Sequence, residues 1–366
     1  MPVRRIPGSH GRVFAESAEL DAWKLAQNPA EVDAGTRIDK RIVALAVVGV
    51  VTLAVLGMTL AATRGPASWR YHGSTLVVED ESGREVWRKA FEEPVDTTYQ
   101  VYRRERAWVG DLDGDGRKET LFVHAPWRNS TQLVAFSAEG KELWRFEPGK
   151  TVVTKKNTYA PPYVIQQFLV TADGNVLITS CHYMYHPNQV VLLDLKGKIQ
   201  REYWHSGRLG TVEIADMDED GEQEIYLGGV SQGYKMATVV RLDAASFGGA
   251  SVEEDAMYQM QGFAEGYGSK RILLPRSCIN RELEQYNVVF SVHTSREGLV
   301  VDVHERPSLT PGSSTQFELD GLLGLRRFHY SDTYQAQHRL MVAQGMHRHE
   351  LESDAGEMKH LRILDR

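Results

Sequence analysis

Two short acidic stretches hold the residues whose types and spacing point most directly to chemistry. In "VGDLDGDGRKETLFVHAP", Val109 to Pro126, Asp111, Asp113 and Asp115 alternate along the chain, Gly116 follows, and Glu119 takes the ninth place. "IADMDEDGEQEIYLGG", Ile214 to Gly229, repeats the pattern with Asp216, Asp218, Asp220, Gly221 and Glu224. Odd-numbered spacing with a glycine turn wraps the acids around one point, where without a cation they would repel one another. A hard cation accepting roughly six to eight oxygens suits that arrangement, with the carbonyls of Arg117 and Glu222 available at the seventh position.

The calcium loop of helix–loop–helix sensors begins the same way but needs a bidentate Glu at its twelfth position. That place is Phe122 in one stretch and Leu227 in the other. Both lie in runs, "TLFVHAP" and "EIYLGG", that read as strands. Each loop is therefore expected to join two strands and to staple a turn.

The elements that must position these loops recur along the chain. "TLVVEDESGREVWRKAF" (Thr75–Phe91), "QLVAFSAEGKELWRFEP" (Gln132–Pro148) and "VVLLDLKGKIQREYWHS" (Val190–Ser206) each place an apolar strand, a glycine turn and an alternating strand in succession. Their turn glycines, Gly83, Gly140 and Gly197, are 57 residues apart, and Trp87 and Trp144 keep the same interval. Between successive hairpins lies another strand pair, and two of these pairs carry the acidic loops. Four short strands repeated at about 50 residues read as blades of a β-propeller. From Ser68 there is space for five or six blades, and "KHLRILD" (Lys359–Asp365) is expected to close the ring onto the first one. A third acidic loop should fall at "TADGNVLIT" (Thr171–Thr179), where Asp173 is the only acid. That unit is expected to have lost its ion.

On these residues the chain resembles the FG-GAP (VCBS-type) repeats of integrin-like β-propellers, including the Ala125–Pro126 that trails the first loop. The "GxxxW" hairpins also resemble blades of quinoprotein-type propellers. The resemblance implies calcium held in the loop between two blade strands, with metal roles for Asp111, Asp113, Asp115, Glu119, Asp216, Asp218, Asp220 and Glu224. Quinone-binding residues are not recognisable, and no acid–base constellation, nucleophile elbow, P-loop or dinucleotide fingerprint is present. No enzyme activity is expected.

Ahead of the repeats, Ile42–Thr63 is a run of 22 residues with no charge. About 20 apolar residues cross the hydrocarbon layer as a helix, so one transmembrane span is expected. Arg37, Lys40 and Arg41 flank it on the N-terminal side, against Arg64 and Arg70 after it, which places the N-terminus in the cytoplasm. The expected organisation is a cytoplasmic head over residues 1–41, a span over 42–63, and an extracytoplasmic propeller over 64–366 of a bacterial inner-membrane protein. Beyond Arg64 the chain carries 34 Lys/Arg against 43 Asp/Glu, a balance that does not seek phosphate backbones.

The head has its own pattern. "RRIPGSHGRVFA" reads as a basic hairpin, and the following "ESAELDAWKLAQNP" reads as a helix that Ser17 can cap. Together they resemble the C-terminal half of an excisionase/MerR-type winged helix. A wing can touch phosphate through Arg4, Arg5 and Arg12, but nucleic acid is a partner only if a recognition helix lies upstream of Met1. Otherwise the expected partners are the membrane and a protein or small-molecule ligand of the propeller. His182 and His186 ("CHYMYHPNQ") and "MHRHE" (Met346–Glu350) lack a helix that would align them on a metal. "YWH" (Tyr203–His205) reads as a packed aromatic cluster. Cys181 and Cys278 fall in non-neighbouring repeats and are expected to be buried thiols.

Overall fold

The computed structural model describes residues 4–5, 13–27, 65–94, 106–126, 131–183, 185–309, 312–348 and 350–365. The chain divides into two compact units, Met1–Ala61 and Ala62–Arg366. The expected span lies outside the described residues. Among the described residues no helix is long and apolar enough to cross a membrane.

In the first unit, strands β1 (Arg4–Arg5) and β2 (Val13–Phe14) pair antiparallel, Arg4 opposite Phe14. Helix α1 (Ser17–Gln27) follows, with Glu19 in its first turn and Lys24 in its last, both favourable to the helix dipole. Ser17 is the first helical residue rather than the cap: the Leu20 amide donates to the Glu16 carbonyl at 3.0 Å, which makes Glu16 the flanking residue.

The second unit is mainly β, built from consecutive antiparallel meanders. The first sheet holds β3 (Ser68–His72), β4 (Thr75–Glu79) and β5 (Glu85–Ala90). The second holds β6 (Ala107–Gly110), β7 (Glu119–His124), β8 (Gln132–Phe136) and β9 (Glu142–Phe146). A small ribbon, β10 (Val152–Val153) with β11 (Thr158–Tyr159), precedes the third sheet. That sheet is β12 (Tyr163–Val170), β13 (Val176–His182), β14 (Asn188–Leu193) and β15 (Ile199–His205). The fourth starts with β16 (Leu209–Ala215), β17 (Glu224–Ser231) and β18 (Met236–Asp243). The chain then sends β19 (Gly249–Ala250) back to run parallel to β15 before β20 (Ser269–Leu274) extends the fourth sheet. After helix α2 (Cys278–Leu283), the fifth sheet is β21 (Val288–Ser295), β22 (Gly298–His304), β23 (Ser314–Leu319) and β24 (Leu325–Tyr330). Helices α3 (Asp332–Ala343) and α4 (Leu351–Met358) lead to β25 (Arg362–Asp365).

Period-two alternation explains how these sheets stack. Along β13, Val176 and Ile178 join the core shared with the first two sheets, whereas Leu177 joins the core shared with the fourth. Along β14, Val191 and Leu193 go to the first of these cores, Val190 and Leu192 to the other. Ile225 and Leu227 of β17 face back toward the third sheet, and Tyr226 faces the core of the fifth. A strand covered on both faces has no polar alternation to show, so β7, β13, β14 and β17 are buried along their whole lengths. This sheet-on-sheet order in chain sequence is propeller-like.

The outer hairpin turns of the first, second, third and fifth sheets are built the same way. The amide of Gly83 donates to the Asp80 carbonyl, and Asp80 Oδ1 accepts from the amides of Ser82 and Arg84 at 2.9 and 3.0 Å. Asp194 and Asp320 repeat the arrangement, and Ser137 does so through its hydroxyl. A type I turn closed by a left-handed residue matches strand twist at the cost of one bulge, which is where the glycines at φ +74°, +79° and +73° sit. In the fifth sheet Leu323, at φ +64°, takes the glycine's place.

The expected ring closure is not found. The final strand does not close a ring on the first sheet: β25 pairs antiparallel with β20 of the fourth, Ile272 opposite Ile363. Helices α3 and α4 pack on the fifth sheet's core and return the chain to the free edge of β20, and covering an unpaired edge is itself stabilising.

Candidate metal loops between sheets

The first acidic loop joins β6 to β7, and the second joins β16 to β17. In the first, one carboxylate oxygen each from Asp111, Asp113 and Asp115 lies within 4.8 Å of the others, all on exposed side chains. The loop is wound by its own amides. Asp111 accepts from Gly114 and Gly116 at 2.8 and 2.9 Å, Asp113 from Asp115 at 3.2 Å, and Asp115 from Arg117 at 2.7 Å. Glu119 stands apart from this triad. It is buried, and its Oε2 accepts from the Leu112 amide at 3.0 Å. Burial pushes its carboxyl above the usual carboxylate range, the Leu112 bond opposes that, and the charges of Asp113 and Asp115 add to it.

The second loop brings together a different three: Asp216, Asp218 and buried Glu224. Asp220 is outside the triad and accepts from the Glu222 amide at 2.8 Å. Glu224 repeats the bracing role of Glu119, accepting from the Met217 amide at 3.2 Å. Its carboxyl is likewise raised by burial, against the opposing Met217 bond and Arg241 charge. For Arg117 and Glu222, the amides bond within the loops, while the Arg117 side chain pairs with Glu139 on the adjacent turn.

A residue that local reading of the loops passed over sets the two sites apart. Arg241, directly across the ladder from Tyr226, reaches Asp218 at 2.8 Å, Glu224 at 3.1 Å and Asp243 at 3.2 Å. The corresponding ladder pair beside the first loop is Leu121 with Ala135, which supplies no charge. The signal was an arginine interrupting the apolar strand "TVVRLD".

Both loops sit at joints between sheets. The second residue of each turns inward while its aspartates stay exposed. Leu112 is buried, and its carbonyl is so close to Gly174 of the third sheet that a side chain there would meet it at 2.3 Å. Met217 meets Gly321 of the fifth sheet in the same way, and Tyr226 Oη donates to the Gly321 carbonyl at 2.9 Å. The Thr171–Asn175 segment, which was expected to be a degenerate acidic loop, is an ordinary hairpin turn whose Asp173 carboxylate is engaged by Thr171 and Asn175. Asp173 nevertheless lines a cavity of about 360 Å³ together with Asp111 and Asp113.

The donor sets fit a hard divalent cation unequally. The first loop offers three converging, uncompensated carboxylates; the second offers three of which two already face a guanidinium. The histidines of "CHYMYHPNQ" are packed instead: His182 bonds the Ala160 carbonyl at 2.9 Å, and both His182 and His186 lie edge-on to Tyr159. Tyr203, Trp204 and His205 are all buried. Cys181 and Cys278 are both buried and are not joined in a disulfide.

No family model and no curated protein matches the sequence. Among solved structures, the chain is similar to BamB from Moraxella catarrhalis, at 12% identity and TM-score 0.32, over 71% of this chain and 59% of that one. It is similar to a eukaryotic initiation factor at 10% identity and TM-score 0.34, covering 72% and 62%. The V. cholerae biofilm matrix protein Bap1 follows at 14% identity and TM-score 0.29, covering 65% and 42%. The chain thus spans about three fifths of the first two structures it resembles.

Proposed function

We propose that the chain is a single-pass membrane protein whose second unit is an FG-GAP-like, calcium-stapled propeller domain, held outside the cytoplasm as a binding or sensing module for a protein or small-molecule ligand. The observation that carries this reading is the position of the acidic loops. Each keeps its aspartates exposed while packing its second residue into the joint with a neighbouring sheet. An ion there would fix the loop and, through it, the joint. The role is that of a staple, and the reading is of a binding module rather than an enzyme.

The test is thermal unfolding of the full chain in detergent, with chelator and with calcium. An ion that binds only the folded chain adds roughly 2.7 kcal/mol per site at a hundredfold excess over its dissociation constant. Calcium should raise the melting temperature, and Asp113→Ala with Asp115→Ala should remove most of that rise. A melting curve indifferent to both chelator and calcium would reduce the loops to solvated turns.

A second reading, a membrane-tethered transcription regulator, is favoured by one observation in the head. Strands β1 and β2 pair through Arg4 and Arg5 and lead into α1, the order of a wing followed by a helix. Sequencing upstream of Met1 decides it: an in-frame helix-turn-helix supports the regulator, and an in-frame stop close to Met1 removes it.

A further inference from the structure

Away from the acidic loops, the fold gathers three side chains that lie far apart in sequence. Cys278 opens α2, His338 lies on α3, and His347 lies in the turn after it. One ligand atom from each falls within 4.8 Å of the others, and all three residues are buried. The two imidazole rings meet nearly perpendicularly, with centroids 5.0 Å apart.

The surroundings hold these groups in place. Nδ1 of His347 lies 2.9 Å from Glu282 Oε1, so coordination would be through Nε2. A carboxylate on the outer nitrogen of a ligating histidine is the recurrent partner that fixes its tautomer and raises its basicity. The Cys278 amide donates to buried Asp354 of α4 at 2.9 Å, and the Tyr334 hydroxyl lies 3.5 Å from Cys278 Sγ. A thiolate with two imidazoles is a donor set for borderline and soft ions, and it rejects calcium, which takes oxygen.

We propose that Cys278, His338 and His347 form a zinc-class metal site, with Glu282 as the residue that orients His347. Among the described residues, three donors would fill three corners of a tetrahedron, and a further donor would complete the fourth. The ion would tie α3 and the turn after it to α2, and so fasten the helices that carry the chain from the fifth sheet back to the edge of the fourth. The site is independent of the acidic loops in residues, in donor chemistry and in the ion it selects.

The experiment uses the reduced full chain with excess calcium present, so that the acidic loops are occupied by their own ion. Titration with cobalt(II) should give tetrahedral visible bands and a thiolate-to-cobalt charge-transfer band that saturate at one equivalent and vanish on adding zinc. Cys278→Ser should lose the charge-transfer band, Cys181→Ser should keep it, and Asp113→Ala with Asp115→Ala should leave it unchanged. A spectrum that stays octahedral, or a charge-transfer band that survives in Cys278→Ser, overturns the proposal. If Cys278→Ser does not fold, X-ray absorption on the zinc-loaded natural chain decides. One sulfur at about 2.3 Å with imidazole nitrogens upholds the site, and an all-oxygen shell refutes it.

Discussion

The guanidinium of Arg241 stands 2.8 Å from the carboxylate of Asp218, at the place where the second acidic loop would otherwise face an uncompensated cluster of negative charge. The same group reaches Glu224 at 3.1 Å, and its side chain is only 15% exposed. A fixed cation and a bound one compete for the same oxygens. On the calcium reading proposed for the loops, the second would therefore be the weaker site of the two, or one that calcium occupies only by displacing Arg241.

Replacing that arginine should make the second loop depend on calcium. Removing one partner of a largely buried ion pair costs about 3 kcal/mol, because the remaining charges are left without compensation. Arg241→Gln should thus melt well below the natural chain in chelator and recover a larger share of the difference when calcium is added. Unfolding curves at graded calcium measure this. If the variant gains no more from calcium than the natural chain does, Arg241 is not standing in for an ion.

Asp173 offers a contrast. It shares a cavity with Asp111 and Asp113, yet its carboxylate is committed to Thr171 and Asn175 within its own turn. Asp173→Ala should cost about 1 kcal/mol, as the loss of a local side-chain-to-turn bond does. The calcium-induced rise in melting temperature should stay the same. A reduced rise would make Asp173 a contributor to the first site.

What could be read from the sequence was local. Gly83, Gly140 and Gly197 sit in turns that require a left-handed residue, so the period they set is visible without any coordinates. The acidic loops were visible for the same reason, since their acids lie within nine positions of one another. The fifth turn was hidden because Leu323 takes the glycine's conformation there. At the position one period after Trp144, Arg201 bonds the Ala245 carbonyl of the next turn at 3.0 Å, much as Trp144 bonds Leu195 at 2.9 Å. A tryptophan pattern could not show that. Arg241, the pairing of β25 with β20, and the meeting of Cys278 with His338 and His347 all depend on which sheets and helices become neighbours. No spacing along the chain encodes that.

The buried histidine of "YWH" predicts a pH dependence. Burial pushes the His205 imidazole down to about 4, with the Arg271 charge adding and Glu253 opposing, from an ordinary 6.5. In the folded chain it stays neutral where the unfolded chain takes up a proton, so stability falls as pH drops from 6.5 toward 4 and is unaffected above 6.5. The size of that loss is on the order of 3 kcal/mol at most. Denaturant titrations of the natural chain and of His205→Asn across this range isolate it, because other histidines contribute equally to both. The variant should show the shallower slope, and parallel slopes would contradict the assignment.

Trp144 lies against Gly197 of the next sheet's turn so closely that a methyl group on the glycine would stand 2.7 Å from the indole Cδ2. Trp87 covers Gly140 in the same way at 2.6 Å, whereas at Gly83 nothing described lies within 4 Å. The three glycines share one backbone conformation, so Gly→Ala substitutions separate the cost of that conformation from the cost of contact between sheets. Gly83→Ala should lose only the left-handed penalty, roughly 1–2 kcal/mol. Gly197→Ala adds overpacking against the indole, typically a further ~1–3 kcal/mol. Pairing it with Trp144→Leu should return part of the loss, since the smaller side chain gives the methyl group room. Equal destabilisation at Gly83 and Gly197, with no coupling to Trp144, would mean that the tryptophan does not lock one sheet onto the turn of the next.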